Sequence, residues 1–389
     1  MKQEISDIQK IDVLNVVNTF FTIPYFFGNQ FEYLNSKGYN IHIICSHSTQ
    51  IENYSISKKF CYKEVKILRK ISPIQDIISI ILICYYIKQN NIKIVCGHTP
   101  KGALLSMISS YLMRVPKRVY FRHGIVYETS SGITRKILII SDRITSFLAT
   151  KIICVSKSVA NQSIEDNLNK ISKQTILFNG TCNGIETNIF NRKNIDQSIV
   201  NVIRRKYFIN SNDFIIGFSG RLVKDKGIIE LFEAFEFVAK KFNNIKLLLV
   251  GTFDQRDELE KTTIEKITNN KNVIITGYIE YEQIPNYYFL MDVFVLPSYR
   301  EGFPTSVLEA SSMEIPILTT QATGCIDSIV ENKTGFFINH SPSNIAEKII
   351  YLIENKDIRS KLGITGRKFV SDKFSNVYVW NEILRIYNE

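Results

Sequence analysis

Gly217-Phe218-Ser219-Gly220-Arg221-Leu222-Val223-Lys224-Asp225-Lys226-Gly227 joins two kinds of local structure. Ahead of its polar part lies an apolar, β-rich run, residues 214–218, and the strand ends at Gly220. Behind it, residues 228–240 carry apolar side chains at Ile228, Leu231, Phe232, Phe235 and Val238, the three-and-four spacing of a helix with one buried face. The glycines let backbone approach a ligand closely. Arg221 and Lys226 lie past the strand end and before the helix, where a planar fork and a point charge can together hold a diphosphate. A strand-turn-helix with two solvated cations fits this spacing equally well. Neither a Gly-rich dinucleotide fingerprint nor a P-loop Gly-Lys-Ser/Thr occurs in the chain, which argues against hydride transfer and nucleoside triphosphate hydrolysis.

The same alternation extends in both directions. Apolar β-rich runs occupy residues 11–17, 41–45, 65–68, 92–96, 118–121, 151–155 and 175–178, then 214–218, 245–250, 272–276, 293–296, 315–318 and 335–338, with helical stretches between most of them. Short apolar runs alternating with helices predict parallel sheets buried on both faces. The turn-rich stretch Asn179-Gly180-Thr181-Cys182-Asn183-Gly184 and the polar residues 188–198 separate the two sets. The boundary is placed at residues 188/189, giving domains 1–188 and 189–389, with the last helix expected to pack back on the first domain. The expected fold is α/β: two tandem, doubly wound, Rossmann-like domains facing a central cleft lined by the carboxyl ends of both sheets. The 389 residues suffice for two cores, and 45% hydrophobic with 22% charged residues is an ordinary globular composition.

Charge divides the chain in the same way. Residues 1–190 hold 23 Lys and Arg against 12 Asp and Glu, whereas residues 191–389 hold 25 of each, so the first half carries the entire net charge of +11. A basic half suits an anionic partner: membrane lipid, nucleic acid or a phosphorylated substrate. Residues 133–150 add a helix-length stretch in which Arg135, Lys136 and Arg143 alternate with apolar residues, a pattern suited to an anionic leaflet and also to an ordinary sheet-covering helix. The longest apolar stretch, residues 77–87, is bounded by Asp76 and Lys88 and is too short to span a bilayer, so it predicts a buried helix. Met1-Lys2-Gln3-Glu4 does not open like a signal peptide. Seven scattered cysteines, never spaced as Cys-x-x-Cys, favour a reducing compartment without a zinc site or disulfide framework.

A second constellation follows residues 293–296: Leu296-Pro297-Ser298-Tyr299-Arg300-Glu301-Gly302-Phe303-Pro304-Thr305-Ser306-Val307-Leu308-Glu309-Ala310. Pro304 suits the first turn of a helix, whose free N–H groups can bind an anion. A carboxylate at Glu309, more than a turn further in, can accept from two vicinal hydroxyls such as those of a ribose. Glu301, ahead of the helix, can face another part of the same ligand. Small and apolar neighbours, Leu308, Ala310, Ser311 and Ser312, are unusual company for a solvated Glu309.

With the Gly220–Gly227 run, this segment resembles the retaining group 1 (family 4) glycosyltransferases of GT-B fold, and among them the bacterial surface-polysaccharide assembly subgroup. Glu301 and Glu309 look like the family's two glutamates with seven residues between them. The resemblance implies that Arg221 and Lys226 bind the donor diphosphate and act in catalysis, that Glu309 binds the nucleotide ribose, that Glu301 faces the donor sugar and acts in catalysis, and that Gly302, Phe303 and Pro304 bind the donor beside it. Tyr278 and Ile279 match the place where the family's backbone meets the base. In the first half, Tyr120-Phe121-Arg122-His123-Gly124 puts His123 where the family has a catalytic histidine beside the transferred sugar. Gly97-His98-Thr99-Pro100-Lys101-Gly102 resembles an acceptor-side loop, which assigns His98 and Lys101 to the acceptor, as does Arg69-Lys70-Ile71-Ser72-Pro73 followed by Asp76. Asn183-Gly184 looks like a hinge element. One departure stands out: many members have two glycines after the first strand, facing the donor diphosphate, and Phe26-Phe27-Gly28-Asn29 offers only Gly28 for that donor contact.

The implied protein is a metal-independent hexosyltransferase with no cofactor. It would move a sugar from a nucleotide sugar, UDP favoured over GDP, to a saccharide or polyprenyl-diphosphate-linked saccharide. It would work in the cytoplasm, peripherally at the membrane's inner face, with no nucleic-acid partner. No Asp-x-Asp cluster sits at a strand end to hold a metal. A nucleotide-sugar epimerase of similar fold and a non-catalytic nucleotide-sugar binding protein are the rival readings.

Overall fold

The computed structural model describes residues 10–254 and 259–389. The opening Met1-Lys2-Gln3-Glu4 lies outside these residues. Two units divide the chain: residues 1–183 with Val377–Glu389 in one, and Gly184–Asn376 in the other. The sequence alone put the division at 188/189.

In the first unit seven strands form one sheet: β1 (Ile11–Val16), β2 (Tyr39–Cys45), β3 (Cys61–Glu64), β4 (Ile94–Gly97), β5 (Lys117–Arg122), β6 (Lys151–Cys154) and β7 (Gln174–Ile176), in the order β3-β2-β1-β4-β5-β6-β7. The second unit's sheet has six: β8 (Phe214–Ser219), β9 (Ile245–Val250), β10 (Val273–Ile275), β11 (Val293–Leu296), β12 (Ile317–Thr319) and β13 (Gly335–Phe337), in the order β10-β9-β8-β11-β12-β13. Every pairing in both sheets is parallel. Parallel neighbours cannot be joined by tight turns, so helices cross between them and cover both faces. That is why β8 and β11 are buried along their whole length. In each sheet the strand order reverses beside the first strand, between β1 and β4 and between β8 and β11. Loops leaving the carboxyl ends there diverge and open a crevice within the unit.

Several expectations are corrected. The third strand lies at Cys61–Glu64 rather than 65–68. Beyond it only Val65 continues the ladder (N–H to Cys45 O, 2.9 Å), while Ile67 N–H donates to the Ser46 hydroxyl at 2.9 Å. Val65 and Ile67 are buried by this run, so their apolar character marked the core without marking the strand. Residues 77–87 belong to the helix Pro73–Gln89, which is not buried: only Ser79, Ile83 and Ile87 are, while Ile74, Ile77, Ile78, Ile81, Leu82 and Tyr85 face solvent. The helix after β11 is Thr305–Ser312, and Pro304 precedes it in an extended conformation instead of forming its first turn.

The cysteines are all free. Asn183 is buried, its side-chain oxygen accepting from Trp380 Nε1 at 2.7 Å and from Gln30 Nε2 at 3.2 Å. Gly184 follows at φ +73°. Among the described residues no helix is long and apolar enough to cross a membrane.

Candidate active site

The loop after β8 is fixed from below. Leu222 and Val223 are fully buried, and Leu222 N–H donates to Thr252 O at 2.9 Å. A single 3-10 turn, Lys224–Lys226, then meets Gly227 at φ +70°. A Cβ at that position would come within 2.2 Å of Pro297 O, so both conformation and space demand glycine. This contact brings the loops after β8 and β11 against each other. Ser298 Oγ and Tyr299 N–H both donate to Asp225 O, at 3.0 and 2.9 Å, and Arg300 Nη2 lies 3.1 Å from Asp225 Oδ2. From the other side, Glu301 N–H donates to Thr323 O at 2.9 Å. Gly324, at φ +80°, leaves only enough room for the Glu301 and Gly302 carbonyls.

Two residues singled out separately in the sequence therefore meet: Lys226 Nζ lies 2.5 Å from Glu301 Oε1, and both side chains are largely buried. Arg221 reaches Asp254 Oδ2 at 3.4 Å and stays about a third exposed. Each cation is thus held beside a carboxylate at the crevice, an arrangement that fixes its position before any ligand arrives. The cradle also extends to Tyr299, whose ring stacks on His340 at 3.7 Å and whose hydroxyl donates to Glu230 Oε1 at 2.7 Å.

Glu309 sits deeper. Residues Val307 to Ser312 are all buried, and Glu309 is 6% exposed. Its Oε2 accepts from the hydroxyl of fully buried Tyr288 at 2.9 Å. Burial raises the carboxyl to about 7, with the Tyr288 hydrogen bond pulling the other way. Tyr288 itself is pushed well up by burial and by the adjacent Glu309. Sequence reading missed Tyr288, since an aromatic in Ile284–Tyr288 reads like any core residue; the small neighbours of Glu309 were the visible sign of its burial.

The remaining candidates of this unit lie along the same end. Tyr278 is half exposed, its hydroxyl donating to Glu280 Oε2 at 3.2 Å, and Ile279 packs on the core. The Phe303 ring packs against Phe374 at 5.2 Å.

In the first unit, His98 is buried after β4 and His123 is partly buried after β5. His98 Nε2 lies 3.1 Å from Asn15 Oδ1, and His98 Nδ1 lies 2.9 Å from His123 Nε2. An amide oxygen only accepts, so His98 carries its proton on Nε2. Its Nδ1 must then accept from His123 Nε2–H, which leaves His123 Nδ1 as a bare acceptor. Burial lowers His123 to about 3 and His98 well below the ordinary histidine value, with His123 adding to the latter, so both rings are neutral. Phe26 stacks on His123, centroids 3.8 Å apart and planes within 5°. Gly28 ends the short helix Ile23–Phe27 at φ +47°. His98 therefore orients His123 and presents little surface of its own. Lys101 is ion-paired with Asp76, joining two of the acceptor-like segments, and also donates to Lys70 O at 3.3 Å. Arg122, unassigned from sequence, is fully buried with Asp142 Oδ1 at 2.6 Å and Ser146 Oγ and Asn169 Oδ1 each at 2.7 Å. Among the described residues no group of three or more His, Cys, Asp or Glu side chains is placed to hold a metal ion.

Comparison with known proteins places this geometry. Residues 10–156 match the family model described as glycosyl transferase 4-like, and residues 200–369 match the one for glycosyl transferases group 1. The capsular polysaccharide biosynthesis glycosyltransferase CapM of Staphylococcus aureus is 33% identical over 378 residues, covering 97% of this chain and 96% of that protein. The UDP-Gal:alpha-D-GlcNAc-diphosphoundecaprenol alpha-1,3-galactosyltransferase of Escherichia coli is 25% identical over 373 residues, 90% of this chain and 91% of that protein. Among solved structures, a glycosyltransferase from Rickettsia africae ESF-5 shares the fold with a TM-score of 0.79 at 23% identity, covering 97% of this chain and 98% of its own. Anabaena Alr3699/HepE, solved in complex with UDP-glucose, gives a TM-score of 0.80 at 15% identity over 97% of this chain and 99% of its own.

Proposed function

The chain belongs to the group 1 glycosyltransferases and has their GT-B fold, and on that premise we propose that it transfers a hexose, with retention of anomeric configuration, from a UDP-sugar to a lipid-diphosphate-linked saccharide in the assembly of a surface polysaccharide. The observation that carries this reading is the Lys226–Glu301 contact at the β8/β11 crevice, with Arg221 on the same loop and Glu309 buried on the helix that follows. The resemblance in sequence pairs these residues with the family's diphosphate cations and two glutamates, which supports the reading. UDP and the lipid-diphosphate acceptor are favoured because the printed activity of the Escherichia coli relative combines both.

The chemistry follows from the residues. A diphosphate brings more negative charge than the single carboxylate of Glu301, so it draws Lys226 and Arg221 onto its oxygens. Their positive charge then stabilises the negative charge that grows on the leaving oxygen as the glycosidic bond breaks. Glu309, ionised, accepts from the two ribose hydroxyls. Tyr278 and Ile279 meet the base, and Gly302, Phe303 and Pro304 line the approach of the sugar. The acceptor hydroxyl attacks the anomeric carbon on the face from which the diphosphate departs. The C–O electron pair leaves with the diphosphate, and the hydroxyl proton passes to the same phosphate oxygen. His123 Nδ1, a neutral acceptor, orients a sugar hydroxyl; His98, buried, acts by holding His123, and Lys101 belongs to the acceptor side. With Arg221 and Lys226 supplying the charge, the reaction is expected to need neither divalent metal nor cofactor. A lipid-borne acceptor puts the enzyme at the cytoplasmic membrane face as a peripheral protein.

The test is incubation with labelled UDP-sugars, with and without a polyprenyl-diphosphate-linked saccharide. Label moving to lipid supports transfer. Isomerised nucleotide sugar would point to an epimerase, and binding without turnover to a non-catalytic protein.

A further inference from the structure

The helices Pro73–Gln89, Pro100–Leu112 and Gly132–Leu148 lie side by side in one layer over a shared core of the first unit, the first contacting the second and the second the third. On the first, Ile74, Ile77, Ile78, Ile81, Leu82 and Tyr85 form a stripe at three-and-four spacing, each between 41% and 78% exposed. The stripe faces away from the core, which takes Ile83 and Ile87. On the third, Ile133, Ile137, Ile140, Ile144 and Phe147 repeat the pattern along the whole helix, all exposed. Tyr111 and Leu112 are exposed at the end of the helix between them. Isolated exposed apolar side chains are ordinary on a soluble surface. Two full helical stripes on one layer are not, and they mark a surface that something covers.

Charge identifies the occupant. Residues 66–148, which contain this layer, hold thirteen Lys and Arg against three Asp and Glu, a net charge of +10. Two of the three acids, Asp76 and Asp142, are ion-paired internally with Lys101 and Arg122. Lys70 precedes the first helix and Lys88 lies in its last turn, Arg114 follows the second, and Arg135 and Lys136 lie near the start of the third, all exposed. A second copy of the same face would bring like charge against like charge. An anionic lipid surface answers both properties at once: acyl chains take the isoleucines and headgroups take the cations.

We infer that the outer stripes of Pro73–Gln89 and Gly132–Leu148 insert into the headgroup–acyl boundary of an anionic membrane leaflet, with the flanking cations on the lipid phosphates. The attachment is hydrophobic as well as electrostatic, and it uses a helix whose composition reads as core. The inference rests on the peripheral membrane location proposed above and supplies the surface for it.

The full chain is sedimented with vesicles of phosphatidylcholine alone and of phosphatidylcholine with phosphatidylglycerol, at low and high salt. Transfer to a water-soluble saccharide diphosphate is measured in parallel, so loss of membrane binding and loss of catalysis read separately. The wild type should bind the anionic vesicles and keep a salt-resistant fraction. Ile77→Ser with Ile81→Ser should lower partitioning by at least about tenfold and abolish the salt-resistant fraction, leaving soluble transfer and the unfolding temperature unchanged. Lys136→Gln with Arg135→Gln should weaken only the salt-sensitive part. The inference is overturned if the wild type ignores anionic vesicles, or if salt releases all of it and the serine pair changes nothing. It is equally overturned if the lipid-free wild type is a dimer that the serine pair makes monomeric.

Discussion

Replacing Glu309 by Gln separates what the buried carboxyl contributes to binding from what it costs the fold. Burial moves this acid from an ordinary 4.5 to about 7, against the partial offset of the Tyr288 hydroxyl. A group whose folded pKa lies above its unfolded value contributes fully below the unfolded value, and that stability is lost as pH rises through the folded one. The window here runs from 4.5 to about 7. At ~1.4 kcal/mol for each unit, the stability lost across it is on the order of 3 kcal/mol. Glutamine has the same shape, can still accept from Tyr288, and does not titrate. Urea unfolding should therefore show wild-type stability falling between about pH 4.5 and about pH 7 by that amount relative to Glu309→Gln. Binding moves the other way. An ionised carboxylate accepts from both ribose hydroxyls, and the amide offers a single acceptor oxygen, so UDP affinity should drop by ~1.5–3 kcal/mol. In calorimetry, the ratio of wild-type to variant affinity should also climb as pH passes about 7, the value to which Glu309 is raised, the titration of the UDP phosphate being common to both. Parallel stability curves for the two proteins, or equal UDP affinity at alkaline pH, would refute the reasoning.

Other perturbations test the remaining groups. Arg221→Ala and Lys226→Ala should each lower turnover by ~10²–10³, more than they lower UDP affinity, as expected of charges that act chiefly in the transition state; addition of a chelator should leave wild-type turnover unchanged. Glu301→Gln removes the carboxylate that pairs with Lys226, so UDP should bind as well as before or better while transfer falls, a split readable by calorimetry and initial rates. His123→Ala should reduce transfer with UDP affinity intact, and because burial lowers His123 to about 3, the wild-type rate should show no inflection from this histidine at ordinary imidazole values. Asn15→Leu should mimic part of the His123→Ala loss by freeing the His98 tautomer, with normal UDP binding as the control against a general folding defect.

How far these features were legible in the sequence depends on which physical property the residues report. Strands such as β8 and β11 are continuous β-rich apolar runs because helices cover both of their faces, and composition alone locates them. The helix Pro73–Gln89 misled for the same reason. Its inward Ile83 and Ile87 and its outward Ile74, Ile77 and Ile81 are one residue type, so nothing in the letters tells a core face from an exposed one. Glu301, Lys226 and Glu309 stood out because small and glycine neighbours accompany backbone that must pass close to something. The partners that tune them did not. Tyr288, Asp254 and Asn15 come from distant positions, and only the fold brings their polar atoms within 2.9, 3.4 and 3.1 Å of Glu309, Arg221 and His98.

The central claim is retaining transfer from a UDP-sugar, and the configuration of the new glycosidic bond tests it most directly. An α-linked UDP-sugar carrying ¹³C at the anomeric carbon is given to the enzyme with a lipid-diphosphate saccharide, and the product's anomeric coupling is read by NMR. The account predicts an α linkage, formed on the face from which the diphosphate leaves while Arg221 and Lys226 hold it. A β linkage would contradict it.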